Sequence, residues 1–301
     1  MKIYKLARNS QRCFPIVDEK SFLNTLPAAR KPWINEESGQ RRYFAVCPCC
    51  GNPIILAAFT NRKADSPRPY GRHYMGDVAG LAQYNAAAYL KCIYANHKIF
   101  GDYKRRRDKL DPDSLQILNL VKTQSNRIFE ILEQDCGIHF SINLIGKMLK
   151  SYYAASGYTY MSSFPNNLPW SFADIIAEMS LYGCLINPHQ GLGPDLLKKL
   201  GQCSYIKLEP FGKYVQVLTN RFTDISFTFR NLRIDEDDVQ HIDFVVSRQR
   251  SNDLLDVERV FGKSFTINEL RFQDLLNTPR TLKEQIRASQ CQKLTEEIFG
   301  P

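Results

Sequence analysis

No stretch of this sequence approaches the roughly 20 consecutive apolar residues that cross a bilayer, and its opening, Met1-Lys2-Ile3-Tyr4-Lys5-Leu6-Ala7-Arg8, lacks the apolar block of a secretion signal. A cytoplasmic location without membrane contact is the expectation. Repeats of fixed period and low-complexity segments are also missing, which excludes solenoid and fibrous architectures. Several catalytic signatures are missing too. There is no phosphate-cradling glycine loop, no Gly-x-Ser-x-Gly elbow and no His-Glu-x-x-His pair. Regular cysteine spacing is absent as well: 9 cysteines, an odd number, are scattered through 301 residues. That argues against a disulfide framework and for reduced thiols, some of them on metal.

Acidic residues are scarce in one part of the chain only. Residues 1–110 carry 20 Lys and Arg against 8 Asp and Glu, near +12, whereas residues 111–301 carry 20 against 23. Such asymmetry is the footprint of a module that meets a polyanion, because cations facing phosphates gain affinity by releasing condensed counterions. Nucleic acid, DNA or RNA, is therefore the expected partner. A solvated basic face explains the same count without any partner. The run Lys104-Arg105-Arg106-Arg107-Asp108-Lys109 and the Asp111-Pro112 step after it predict a boundary near residue 110. A hydrophobic content of 44% and an aromatic content of 12% are enough to build a core in each part.

The segment Val46-Cys47-Pro48-Cys49-Cys50-Gly51-Asn52-Pro53 places three thiols within four positions at a tight turn. A Cys-x-x-Cys step lets two thiolates converge on one tetrahedral metal, and Gly51 permits the turn that aims backbone N–H groups at the sulfurs. The nearby candidates for the remaining ligands are His73, Cys92 and His97. The set Cys47, Cys50, Cys92 and His97 is the first expectation, with His73 or Cys49 as substitutes. Sulfur-rich ligation favours Zn2+ over cations that prefer oxygen. Buried, metal-free thiols are the plainer alternative. The turn resembles the knuckle of zinc-ribbon and treble-clef modules, in which a Cys-Pro-x-Cys-Gly turn joins two short strands. Those strands would be Phe44-Ala45-Val46 and Ile54-Ile55-Leu56. The resemblance covers little more than ten residues and implies a metal-held hairpin that hosts many functions.

Between the knuckle and Cys92, residues 61–74 interleave Arg62, Lys63, Arg68 and Arg72 with Tyr70 and Tyr74 and read as a loop. Arginine planes and aromatic rings both stack on exposed bases. Those four cations and Arg105, Arg106 and Arg107 are the expected nucleic-acid contacts. Two other function classes stand beside this reading. A metal-dependent phosphodiester hydrolase would draw on Asp224, His241, Asp243 and Glu258 near a sheet, or on Asp65 and Asp77 beside an open zinc. A protein-interaction subunit would use the tyrosine-rich stretches Ser151-Tyr152-Tyr153 and Gly157-Tyr158-Thr159-Tyr160. The favoured reading is an adaptor or accessory protein with a structural zinc, a nucleic-acid partner and room for a protein partner.

Apolar spacing predicts helices over about 114–136, from the cap Ser141 to about 155, from about 171 to Gly183, and from Thr281 to Phe299; shorter helices are expected over 80–90 and 267–276. Residues 205–208, 214–218, 225–229 and 241–246 alternate as strands do, with Pro210-Phe211-Gly212-Lys213 as a turn. Leu282, Ile286, Leu294 and Ile298 are expected to dock the last helix on the sheet. The fold class expected is α+β, with a basic zinc-binding module in residues 1–110 and a helical-then-β domain in residues 111–301.

Overall fold

The computed structural model describes residues 1–37, 39–59, 68–219, 224–250 and 256–300. Its helices and antiparallel strands make an α+β protein of two compact units. The first comprises Met1–Asp102 together with two segments from far along the chain, Ile234–Gln240 and Asn268–Gln273; the second comprises Tyr103–Arg233, His241–Ile267 and Asp274–Pro301. No helix among the described residues is long and apolar enough to cross a membrane.

In the first unit, β1 (Ile3–Lys5), β2 (Cys13–Pro15), α1 (Glu19–Thr25), β3 (Ile34–Glu37), β4 (Gln40–Val46), β5 (Pro53–Ala57), β6 (Tyr70–His73) and the short helix α2 (Ala86–Leu90) follow in order. The strands form one sheet in the order β2-β1-β4-β5-β6, with β3 also paired to β4. Asp18 starts α1, its carboxylate accepting from Ser21 N at 2.7 Å. That helix drives Phe22 into a cluster with Tyr4 and Tyr43, at ring-centroid distances of 5.4 and 6.0 Å. Residues 61–74 read as a loop, yet Tyr70–His73 forms a strand on β5, with Ile54 opposite His73 and Ala57 opposite Tyr70. The alternation is too short, and too rich in charge, to have announced it.

The later segments change this unit's charge. Ile234–Gln240 carries Asp235, Glu236, Asp237 and Asp238, so the unit holds 16 Lys and Arg against 12 Asp and Glu, near +4. The acidic run is not merely solvated. Asp238 accepts from the Met1 amine at 2.6 Å and pairs with His97 Nε2 at 3.1 Å.

Asn268–Gln273 brings Glu269 into the same core, where its carboxylate accepts from the Tyr94 hydroxyl and the Gln240 side chain. Burial outweighs both hydrogen bonds and pushes the Glu269 carboxyl up to about 7, with the Met1 amine opposing and Asp238 reinforcing the rise. A carboxyl raised in the folded state favours folding while protonated. Its contribution is complete below the unfolded value near 4.5 and fades as pH climbs through about 7. Between pH 5 and pH 8 the stability of the first unit is expected to fall, and Glu269→Gln should flatten that slope. Denaturant unfolding at the two pH values checks this; an unchanged slope in the variant would assign the pH dependence elsewhere.

The second unit opens with α3 (Pro112–Cys136), capped by Asp111 and stopped at Gly137, whose φ of +75° suits glycine. A Cβ on Gly137 would lie 2.5 Å from Gln190 O, so the chain also needs glycine there for close approach. The helix kinks at Gln124, and the buried Thr295 hydroxyl donates to Lys122 O at 3.0 Å beside the kink. Then come β7 (Ile138–His139), α4 (Ile142–Ala154), α5 (Leu168–Ile175), β8 (Met179–Ser180), β9 (Leu185–Ile186), α6 (Gly193–Leu200), β10 (Ile206–Phe211), β11 (Tyr214–Thr219), β12 (Asp224–Ile234), β13 (Gln240–Gln249), β14 (Val257–Thr266), α7 (Arg271–Leu276) and α8 (Leu282–Phe299). Two four-stranded sheets run β10-β11-β9-β7 and β14-β13-β12-β8.

Two expectations about these elements change. The helix read as continuing to Gly183 ends at Ile175, because Met179 and Ser180 extend to pair with Phe227 and Ser226 of β12. Pro210 and Phe211 belong to β10 rather than to the turn, as an edge strand tolerates proline. The last helix packs on α3 and α4 through the buried Cys291 and Thr295, while Leu282 and Ile286 are 73% and 57% exposed. Tyr152, Tyr158 and Tyr160 of the tyrosine-rich stretches are buried.

Candidate metal centre

The Cys47–Asn52 turn sits between β4 and β5, which pair from Val46 opposite Pro53 to Tyr43 opposite Leu56. It closes by Cys47 N donating to Asn52 O at 2.8 Å and Gly51 N donating to Cys47 O at 3.0 Å. Gly51 adopts φ +69° there, a conformation that costs a residue with a side chain roughly 1 kcal/mol or more.

β6 runs antiparallel to β5, so its last residue, His73, returns to the start of β5, where the thiols lie. Cys92 follows α2 in the chain, its N–H donating to Tyr89 O at 3.0 Å. The fully buried Asn52 fixes this segment: its side chain accepts from Asn85 N at 2.7 Å and donates to Asn85 O at 3.0 Å. Asn85 in turn caps α2 by accepting from Ala88 N at 2.9 Å. One buried amide thus couples the Cys47–Asn52 turn to the segment that delivers the third thiol.

Cys47, Cys50, His73 and Cys92 consequently offer ligand atoms that all lie within 4.8 Å of one another, a spacing at which four groups can hold one metal ion. Cys47 Sγ is 3.7 Å from Cys92 Sγ, and His73 Nε2 is 3.3 Å from Cys50 Sγ and 3.6 Å from Cys92 Sγ. The Tyr89 ring stands edge-on to His73, with centroids 5.0 Å apart, and so restrains the imidazole. Among the described residues no other group of His, Cys, Asp and Glu comes together in this way.

Without a cation these thiols cannot all ionise. Burial, reinforced by the Cys50 sulfur, pushes the Cys47 thiol far up. Hydrogen bonds with Cys47, Cys49 and Cys50 push Cys92 up as well. Hydrogen bonds from Cys47 and Cys92, with help from His73, hold Cys50 far below the ordinary thiol range. Crowded, buried sulfurs thus oppose one another's ionisation, a conflict that a bound cation would relieve.

His97 lies elsewhere in the first unit, paired with Asp238, and Cys49 is half-buried outside the four-ligand group. The chain turns immediately after Cys92, with Asn96 N donating to Cys92 O, and carries His97 away from the sulfurs. A strand register, not proximity in sequence, selects the imidazole. The sequence offered His73 as a substitute for His97, the pairing of residues 70–73 with β5 brings it to the sulfurs, and nothing in the sequence singled out Asn52.

The expected nucleic-acid contacts are divided between the two units. Arg62 and Lys63 lie outside the described residues, as does Asp65; Arg68 and Arg72 are exposed in the first unit. Arg105, Arg106 and Arg107 belong to the second unit. Arg106 stacks over the Tyr160 ring at 4.2 Å and donates to Ala155 O, while Arg107 donates to Tyr160 O and Ser163 O at 2.7 Å each. The candidate hydrolase residues also do not converge. Asp243 pairs with Arg233 at 2.9 Å, Glu258 lies 3.8 Å from Arg248, and His241 Nδ1 is 3.4 Å from the Thr266 hydroxyl. Asp224 is exposed at the start of β12, and Asp77 accepts from Tyr84 N.

No protein-family model, curated protein or solved structure matches this chain.

Proposed function

We propose that Cys47, Cys50, His73 and Cys92 bind one zinc ion that fixes the fold of the first unit. The observation that carries this reading is the spacing of the donors. Bonds of about 2.3 Å to sulfur and about 2.0–2.1 Å to nitrogen imply tetrahedral edges near ~3.7 Å between sulfurs and ~3.5 Å between sulfur and nitrogen. The 3.7 Å between Cys47 and Cys92 and the 3.3 and 3.6 Å around His73 sit at those values. Three sulfurs and one imidazole suit zinc, and four protein ligands close the coordination sphere against water, as in structural rather than catalytic sites.

On this reading the zinc module is an accessory that presents a basic strand to nucleic acid. Support comes from β6, which carries the ligand His73 and the exposed Arg72 side by side, with exposed Arg68 just before it. The metal then fixes where these cations stand. The unit's modest net charge limits non-specific attraction and puts the weight on this strand. Elemental analysis should find one zinc per chain. Binding to single-stranded and duplex oligonucleotides should weaken as salt rises, and Arg68→Ala with Arg72→Ala should lower the salt slope by about 2. Zinc binding with no salt-dependent affinity for either nucleic acid would retain the metal and remove the partner.

A further inference from the structure

The second unit contains a concavity of about 430 Å³ that none of the preceding chemistry uses. Its floor is built by strand register. His139 of β7, Leu185 of β9 and Gln216 of β11 lie directly opposite one another across three adjacent strands and so project from the same face of the sheet. One wall is α4, which contributes Leu144 and Lys147. Tyr182 and Phe211, each 57% exposed, also line it, so two aromatic rings open onto one cavity.

The floor is held in place before any ligand arrives. His139 Nδ1 is 3.1 Å from the Glu133 carboxylate, and the imidazole stacks on Tyr214 with centroids 5.3 Å apart and planes 17° from parallel. Glu133 is itself clamped by Arg287 through two contacts of 2.7 Å. Charge in the cavity has one sign. No lining residue is acidic, and the next side chain along the floor row, Glu209, is paired with Lys207. Lys147 acts on Cys184, a thiol that burial pushes up to about 12 and that therefore stays neutral. Among the described residues lining the cavity, none offers this ammonium an anion.

We infer that this concavity binds a small planar aromatic anion, its ring covered by Tyr182 and Phe211 and its acidic group drawn to Lys147. The volume falls within the range of about 300–1,000 Å³ typical of small-molecule sites. Aromatic faces reward a planar ring, and an ammonium in a cavity whose described lining holds no acid rewards a carboxylate or phosphate. Mononucleotides and aromatic carboxylic acids share this chemistry. The inference is independent of the metal reading, because every residue it uses belongs to the second unit.

Isothermal titration of the full chain with adenosine 5′-monophosphate and with indole-3-acetate tests it, with adenosine and tryptamine as controls lacking the negative charge. At least one anion is expected to bind with a dissociation constant below millimolar and about tenfold or more tighter than its control. A preference for the nucleotide identifies a nucleotide source, and a preference for indole-3-acetate identifies an aromatic acid. Lys147→Glu and Phe211→Ser alter exposed side chains and should each weaken binding about tenfold with unchanged thermal unfolding, whereas Lys147→Arg should preserve it. No binding of either anion at millimolar concentration, equal binding of anions and controls, or unchanged affinity in both variants would overturn the assignment.

Discussion

Replacing Cys50 with serine is expected to abolish zinc binding and unfold the first unit. Structural zinc contributes about 10–16 kcal/mol of apparent binding free energy in small metal-held modules. A whole domain is typically stable by only about 5–15 kcal/mol. Two of the elements that converge on the cluster are short and add little burial of their own: β6 has 4 residues, and α2 has 5 with none buried. Hydrogen exchange should therefore accelerate through β4, β5 and β6, while α3 and α4, built on their own core, keep their protection. A chelator should reproduce the effect in the unaltered protein, and returned zinc should reverse it. Cys49→Ser, outside the four-ligand group, should retain both the metal and the protection. Equal protection in Cys50→Ser and the parent would leave the thiols as ordinary core residues.

In the second unit the largest single-residue loss is expected from Arg287→Ala. Glu133 accepts from Arg287 through both carboxylate oxygens at 2.7 Å, from Phe140 N, and lies 3.1 Å from His139. Burial alone would raise the Glu133 carboxyl, but hydrogen bonds from His139 and Arg287 outweigh it and hold the group below its ordinary value. Removing the guanidinium leaves a largely buried carboxylate without its main partner, a defect worth about 3–5 kcal/mol. For a unit of this size that corresponds to roughly 10 °C in the unfolding midpoint. The sign of the pH dependence follows from the depressed carboxyl. The pair's contribution is present above the unfolded value near 4.5 and disappears as pH falls through the lower folded value. The gap between parent and variant should be wide at pH 7 and close at acid pH. A gap of the same width at pH 3 would show that Arg287 acts through packing of its stem alone.

The long helices of the second unit were legible because they carry both periodic apolar residues and caps. Asp111-Pro112 and Gly137 bracket α3, Ser141 caps α4 by accepting from Leu144 N, and Thr281 with Glu284 forms a capping box on α8. The strands β10 to β13 alternate clearly enough to be read. The 10-residue β14 was not read at all, and short pieces escaped notice as well. β1 and β2 have 3 residues each, β8 and β9 have 2, and such segments are strands only because a neighbour pairs with them.

The division into units was less legible than the elements. Composition put a border near residue 110, but the first unit ends at Asp102 and recruits Ile234–Gln240 and Asn268–Gln273. Tertiary contacts define this assignment, so no local signal carries it. The same fact explains why the charge asymmetry along the chain does not survive into the fold: the acidic run of residues 235–238 returns to the basic unit. At the metal centre, spacing sufficed for Cys47 and Cys50, which one turn brings together. Spacing left His73 and His97 as alternatives, and the β5–β6 register brings His73 to the thiols while His97 pairs with Asp238.

X-ray absorption at the zinc K-edge of the purified chain tests the central claim most directly, because it reads the ligand set rather than only the metal's presence. The arrangement of Cys47, Cys50, His73 and Cys92 predicts three sulfurs at about 2.3 Å and one nitrogen at about 2.0–2.1 Å, unchanged in His97→Ala and altered in His73→Ala. A zinc shell dominated by oxygen or nitrogen, or one that changes with His97 and not with His73, would contradict the account.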